Sequence, residues 1–88
     1  MNIREIFALN LRTLRNDKGF SQEELAHRAN VHRTYVSSLE RCVYSPTIDM
    51  VDGLAKILGV EAFELLVSKR LPGPQKLGTS DSDYSSDA

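Results

Sequence analysis

An all-α domain of five short helices is predicted, and three observations carry the prediction. Apolar residues recur at helical spacing in two long stretches, Ile3, Ile6, Phe7, Leu11, Leu14 and later Ile48, Val51, Leu54, Ala55, Leu58. Helix-start signals precede the second and fourth periodic segments, Ser21-x-x-Glu24 and Ser45-Pro46-Thr47. Chain-reversing residues close the segments, Gly19, Asn30 and Gly59. With 88 residues, of which 41% are hydrophobic, there is room for one domain with a modest core.

The first helix is expected over residues 2–18, with Arg4, Arg12 and Arg15 off its apolar side and Gly19 ending it. Its apolar face makes it the floor on which the next two helices rest. Ser21 then opens a second helix through a capping box with Glu24, and Phe20 is placed to staple onto Leu25. Ala26 and Ala29 are small enough for a neighbouring helix to cross closely. Asn30 sits where the chain must reverse, and Asn tolerates positive φ better than most residues. A capped helix, a tight turn at Asn30-Val31 and a second helix from His32 to Arg41 make a helix-turn-helix.

The third helix has two faces. At about 100° per residue, Arg33, Ser37, Arg41, Thr34 and Ser38 fall within roughly 140° of one another, while Tyr35, Val36, Leu39 and Cys42 lie on the far side. One side is an array of guanidinium and hydroxyl groups, the other a packing stripe. A helix held by its back can offer its front to the DNA major groove. Arg33 is the first candidate for a base contact, because Arg bridges guanine O6 and N7 with two hydrogen bonds. Thr34, Ser37 and Ser38 are short enough to let the helix approach base edges. Backbone contacts are assigned to Gln22, whose N–H lies at a helix N-terminus suited to a phosphate oxygen, and to Arg28, His32, Tyr35 and Arg41.

These residues carry a resemblance. Lys18-Gly19-Phe20-Ser21-Gln22-x-x-Leu25-Ala26, Tyr35-Val36-Ser37-x-Leu39-Glu40-Arg41, Pro46-Thr47-Ile48 and Leu58-Gly59-Val60 resemble the Cro/phage-repressor (XRE) helix-turn-helix family over residues 7–66. Arg33-Thr34-Tyr35-Val36-Ser37 is also similar to the small controller proteins of restriction–modification systems, although the string recurs across the wider family. The resemblance implies a compact five-helix, lambda-repressor-like DNA-binding domain. It further implies an ion pair between Arg15 and Glu40 that fixes the third helix on the first, and a phosphate contact by Gln22. Two positions depart from the pattern: Asn30 stands in place of the common turn Gly, and Cys42 where Gly usually follows Glu-Arg. Cys is ill-suited to positive φ, so the third helix is expected to end differently; Cys42 itself is read as a buried, inert thiol.

In the fourth helix Gly53 interrupts the inward stripe at a cost of ~1 kcal/mol relative to Ala. A last helix, residues 61–68, bears Ala62, Phe63, Leu65 and Leu66. That is more apolar surface than the core needs, so Met50, Ala62, Phe63 and Leu66 are assigned to a homodimer interface, as in related two-fold dimers. From residue 69 onward Pro72-Gly73-Pro74 and a Ser/Asp-rich run predict a disordered tail, residues 69–88.

Net charge is −1, but it is unevenly spread. Residues 1–70 hold ten Lys/Arg against nine Asp/Glu, and the remainder one Lys against three Asp. Binding depends on the local field rather than the sum. No apolar stretch approaches the ~20 residues of a membrane span, the first residues lack the apolar core of a signal peptide, and the single cysteine allows no internal disulfide or zinc site. A cytoplasmic protein is expected. Neither the two histidines nor the serines have acid–base or nucleophile spacing, so no enzyme, cofactor, metal or small-molecule effector is expected. The leading expectation is a sequence-specific double-stranded DNA-binding transcriptional regulator, a dimeric repressor or autoregulator on an inverted-repeat operator. The alternative is an antitoxin or adaptor using the same fold to bind a protein.

Overall fold

The computed structural model describes residues 1–68. They form α1 (Ile3–Asp17), α2 (Gln22–Ala29), α3 (Arg33–Glu40), α4 (Ile48–Leu58) and a single 3-10 turn, Ala62–Leu65. The expected tail lies outside the described residues.

Side chains start three of the four α-helices. Asn2 accepts from the Glu5 N–H while the Glu5 carboxylate accepts from the Asn2 N–H, a complete capping box. Ser21 Oγ accepts from the Glu24 N–H at 2.9 Å. The reciprocal half of the box expected there is not made, because the Glu24 carboxylate takes the Arg28 guanidinium instead. Thr47 caps α4 through the Met50 N–H, which leaves Pro46 one residue ahead of the cap.

All four α-helices close in one way. Gly19, Asn30, Cys42 and Gly59 adopt φ of 76°, 59°, 63° and 75°. The next N–H then turns back onto the helix: Phe20 to Arg15, Val31 to Ala26, Val43 to Ser38 and Val60 to Ala55, at 3.1, 3.0, 2.8 and 2.9 Å. These are Schellman closures. The expectation that Cys42 would change the ending of α3 is therefore wrong. The back-bond from Val43 and the one from the Cys42 N–H to Leu39 hold the left-handed turn despite its Cβ.

Every element contributes to one core: Phe7 and Leu11 from α1, Leu25 and Ala26 from α2, Val36 and Leu39 from α3, Val51, Leu54, Ala55 and Leu58 from α4, and Leu65 from the 3-10 turn. Ile3 and Ile48, expected on inward stripes, are 53% and 87% exposed. Each is the first residue of its helix. Cα–Cβ bonds tilt toward the N-terminus, so a side chain there projects past the helix end and away from the core.

The expected fifth helix is a single 3-10 turn, Ala62–Leu65, held to α1 by one side chain. Asn10, buried within the apolar face of α1, donates from Nδ2 toward the carbonyls of Leu65, Val67 and Glu64 at 3.0, 2.8 and 3.3 Å. One buried amide thereby ties the turn and the residues after it to α1. Among the described residues no helix is long and apolar enough to cross a membrane.

Candidate nucleic-acid interface

The site is built from the back forward. Glu40, the last residue of α3, is buried and Arg15 of α1 largely so, with side chains 4% and 11% exposed. Arg15 Nε and Nη2 donate to the two carboxylate oxygens of Glu40 at 2.6 and 3.0 Å, and Nη1 donates to the Phe20 carbonyl at 2.8 Å. Gln22 Nε2 adds a third donor to Glu40, at 3.1 Å. Two-point pairing of guanidinium with carboxylate fixes orientation as well as distance. One carboxylate thereby locks the end of α3 to α1 and to the start of α2.

With its back held, α3 leaves one arc uncovered. Arg33, Thr34 and Arg41 are exposed and Ser37 is half-buried; the four span about 100° of the helix circumference. Away from them Val36 and Leu39 are buried in the core, and Glu40 is buried at the arc's edge, about 20° from Arg33. Ser38 does not belong to the arc as expected: it is 5% exposed. It lies about 140° from Arg33, past Thr34 at the rim of the arc, where the fold covers it.

Charge on this face is available. Among the described residues the ion pairs are Arg15 with Glu40, Arg28 with Glu24 and Lys56 with Asp52. Arg33 and Arg41 take part in none of them, and Arg41 Nε donates only to Ser37 Oγ, at 3.3 Å. Arg28 is differently placed from the expectation. It is bound to Glu24 at 2.6 Å and lies over the Phe20 ring, 4.5 Å from its centroid, and it borders a groove with Thr47, Met50 and Gly53 rather than the α3 arc. Its cation is already shared.

The flanks of the arc are polar. His32 stands at the N-cap of α3 but makes no side-chain cap bond. With Glu23, His27, Arg33 and Thr34 it borders a groove of about 360 Å³ between α2 and α3. The contact of Gln22 with Glu40 brings the N-terminus of α2 beside this arc, where the first-turn N–H groups have no intrahelical acceptors. Tyr35 is half-buried and stacked on Tyr44 of the following loop, ring centroids 6.4 Å apart.

The residues assigned to subunit contact are not gathered into one patch. Met50 and Ala62 are partly buried against the core, whereas Phe63 is 63% exposed and Leu66 37%. Leu66 borders a small cavity with Ile3, Phe7, Pro46, Ile48 and Val51, while Met50 borders the groove near Arg28. Asn10, which ties the 3-10 turn to α1, and Tyr44, which stacks on Tyr35, are contacts that sequence reasoning missed. Asn10 falls three residues after Phe7 and four before Leu14, inside an apolar face, which is the signal of a buried amide with a tertiary partner. Tyr44 is an aromatic residue in a short polar loop next to the third helix.

A capped helix, a left-handed turn and a second helix, clamped from behind and uncovered in front, define a helix-turn-helix DNA-binding protein. The chain belongs to the helix-turn-helix family HTH_3, whose family model matches residues 11–65. It is 41% identical over 66 residues to a hypothetical transcription factor of Neisseria meningitidis, an alignment spanning 75% of this chain and 62% of that protein. It is 40% identical over 75 residues to the control protein C.SmaI of Serratia marcescens, covering 85% of this chain and 89% of the other. Among solved structures, the biofilm regulator SinR in complex with DNA superposes with a TM-score of 0.66 at 32% identity, over 69% of this chain and 98% of that one. The chain is a DNA-binding transcriptional regulator of this family.

Proposed function

We propose that the protein is a cytoplasmic, dimeric repressor or autoregulator that reads an inverted-repeat operator in double-stranded DNA and catalyses nothing. In each subunit α3 enters a major groove, where Arg33, Thr34 and Ser37 meet base edges. Gln22, His32, Tyr35 and Arg41 meet flanking phosphates, which set register without reading sequence. Two subunits put the half-sites about one helical turn (~10 bp) apart.

One observation carries this function: the uncovered arc of Arg33, Thr34, Ser37 and Arg41 on a helix whose apolar side is buried and whose last residue, Glu40, is clamped to α1. The likeness to a control protein and to a regulator solved on DNA supports the same assignment. Exposed Phe63, Leu66, Ile48 and Ile3 supply apolar surface for the second subunit. The test is selection of bound sequences from a random duplex pool. A two-fold symmetric consensus with the stated spacing is expected. Retention of one stoichiometric protein partner, with no enrichment of any DNA sequence, would replace this function with that of a protein-binding module.

A further inference from the structure

Tyr44 has no part in the helix-turn-helix itself, yet its placement ties it to the DNA-facing helix. The Schellman closure at Cys42 turns the chain back at the end of α3, with the Val43 N–H on the Ser38 carbonyl at 2.8 Å. The loop then carries the Tyr44 ring alongside Tyr35, nearly parallel at 27° with centroids 6.4 Å apart. Tyr35 is the inner, half-buried ring and Tyr44 the outer one, 57% exposed. Among the described residues neither phenol hydroxyl has a hydrogen-bond partner. An aromatic side chain carries few rotatable bonds, and packing between the core and a second ring removes most of its remaining freedom.

Resting on the proposed DNA binding, we infer that Tyr44 is a positioning residue for Tyr35. Its ring holds the Tyr35 ring in the orientation from which the Tyr35 hydroxyl donates to a phosphate oxygen at the edge of the reading helix. The apolar ring of Tyr44 performs this task, not its hydroxyl. Without the outer ring, Tyr35 must be ordered during binding, and affinity falls although no direct contact is lost. A phosphate contact is blind to base identity, so operator preference stays the same.

The experiment measures affinity of the full chain for its selected operator, with thermal unfolding run in parallel. Tyr44→Ala is expected to weaken binding about three- to tenfold, the range of one aromatic pair, with an unaltered consensus. Tyr44→Phe keeps wild-type affinity. In a Tyr35→Phe background, adding Tyr44→Ala costs little more, because the group it positions is gone. Should Tyr44→Ala melt early, Tyr44→Leu replaces it, keeping bulk without a stacking face. Unchanged affinity in the ring-deleted variant overturns the inference. So does a loss with Tyr44→Phe as large as with Tyr44→Ala, or a full additive loss in the Tyr35→Phe background. Wild-type protein that selects no DNA sequence removes the operator-binding function and this inference together; wild-type operator binding with an inert Tyr44 removes the inference alone.

Discussion

Arg15 and Glu40 meet across the gap between α1 and α3 through two hydrogen bonds, 2.6 and 3.0 Å long, with both side chains withdrawn from solvent. Burying two opposite charges is costly unless their remaining donors and acceptors are matched. Here they are, by the Phe20 carbonyl and the Gln22 amide. The pair therefore sets the orientation of α3 more than it adds to stability.

Removing one partner should be severe. Glu40→Ala leaves Arg15 buried beside no anion and is expected to destabilise the domain by about 3–5 kcal/mol, read from urea unfolding. A loss below about 1 kcal/mol, the size of an exposed pair, would show that α3 is held by its apolar stripe alone.

Cys42 stands at φ 63° with a Cβ. Left-handed backbone costs non-glycine residues roughly 1–2 kcal/mol, and glycine gives some of that back through a freer unfolded chain. Cys42→Gly should therefore stabilise the domain by about 0.5–1 kcal/mol. Cys42→Ala, which keeps the Cβ, should not; equal midpoints for the two variants in denaturant titrations would refute backbone strain as the cause.

Asn10 serves carbonyls of Glu64, Leu65 and Val67 from a buried position. Asn10→Ala deserts them and opens a small void, for an expected loss of about 2–3 kcal/mol. In a domain of this size that lowers the melting temperature by roughly 10–20 °C, and calorimetry would reveal it. A shift of about a degree would mean that water replaces the amide without cost.

On the DNA side Arg33→Ala should cost about 1–3 kcal/mol of operator affinity and relax preference at one base pair. Ser38→Ala is the control, since Ser38 is buried; it should leave the selected consensus intact. A consensus altered by Ser38→Ala and indifferent to Arg33→Ala would reverse the assignment of faces on α3.

Gly53 occupies the middle of α4, and a Cβ built there meets nothing within 4 Å. Packing within the subunit does not demand glycine. Gly53→Ala is expected to raise stability by about 1 kcal/mol through helix propensity. Destabilisation in thermal melts would point to a contact that only the assembled protein makes.

Local grammar was largely legible in the residues. Ser21, Asn30, Gly19 and Gly59 act at the ends of their helices as read, because caps and left-handed turns depend on a handful of neighbouring atoms. Sites on α3 were legible to the extent that angle around the helix decides exposure, which held for Arg33, Thr34 and Arg41. It failed for Ser38, whose place at the rim of the arc left its burial to whichever neighbour came close.

Helical periodicity, capping side chains and the two-faced character of residues 32–41 are properties of short stretches, so they were settled along the chain. The Arg15–Glu40–Gln22 junction, the Asn10 amide that ties the last turn to α1, the outward Ile3 and Ile48 and the Tyr35–Tyr44 stack were decided only by folding. Each joins residues from different elements or depends on where a helix starts against its neighbours. Periodicity records which way a side chain leans, whereas contact requires that another element arrive there.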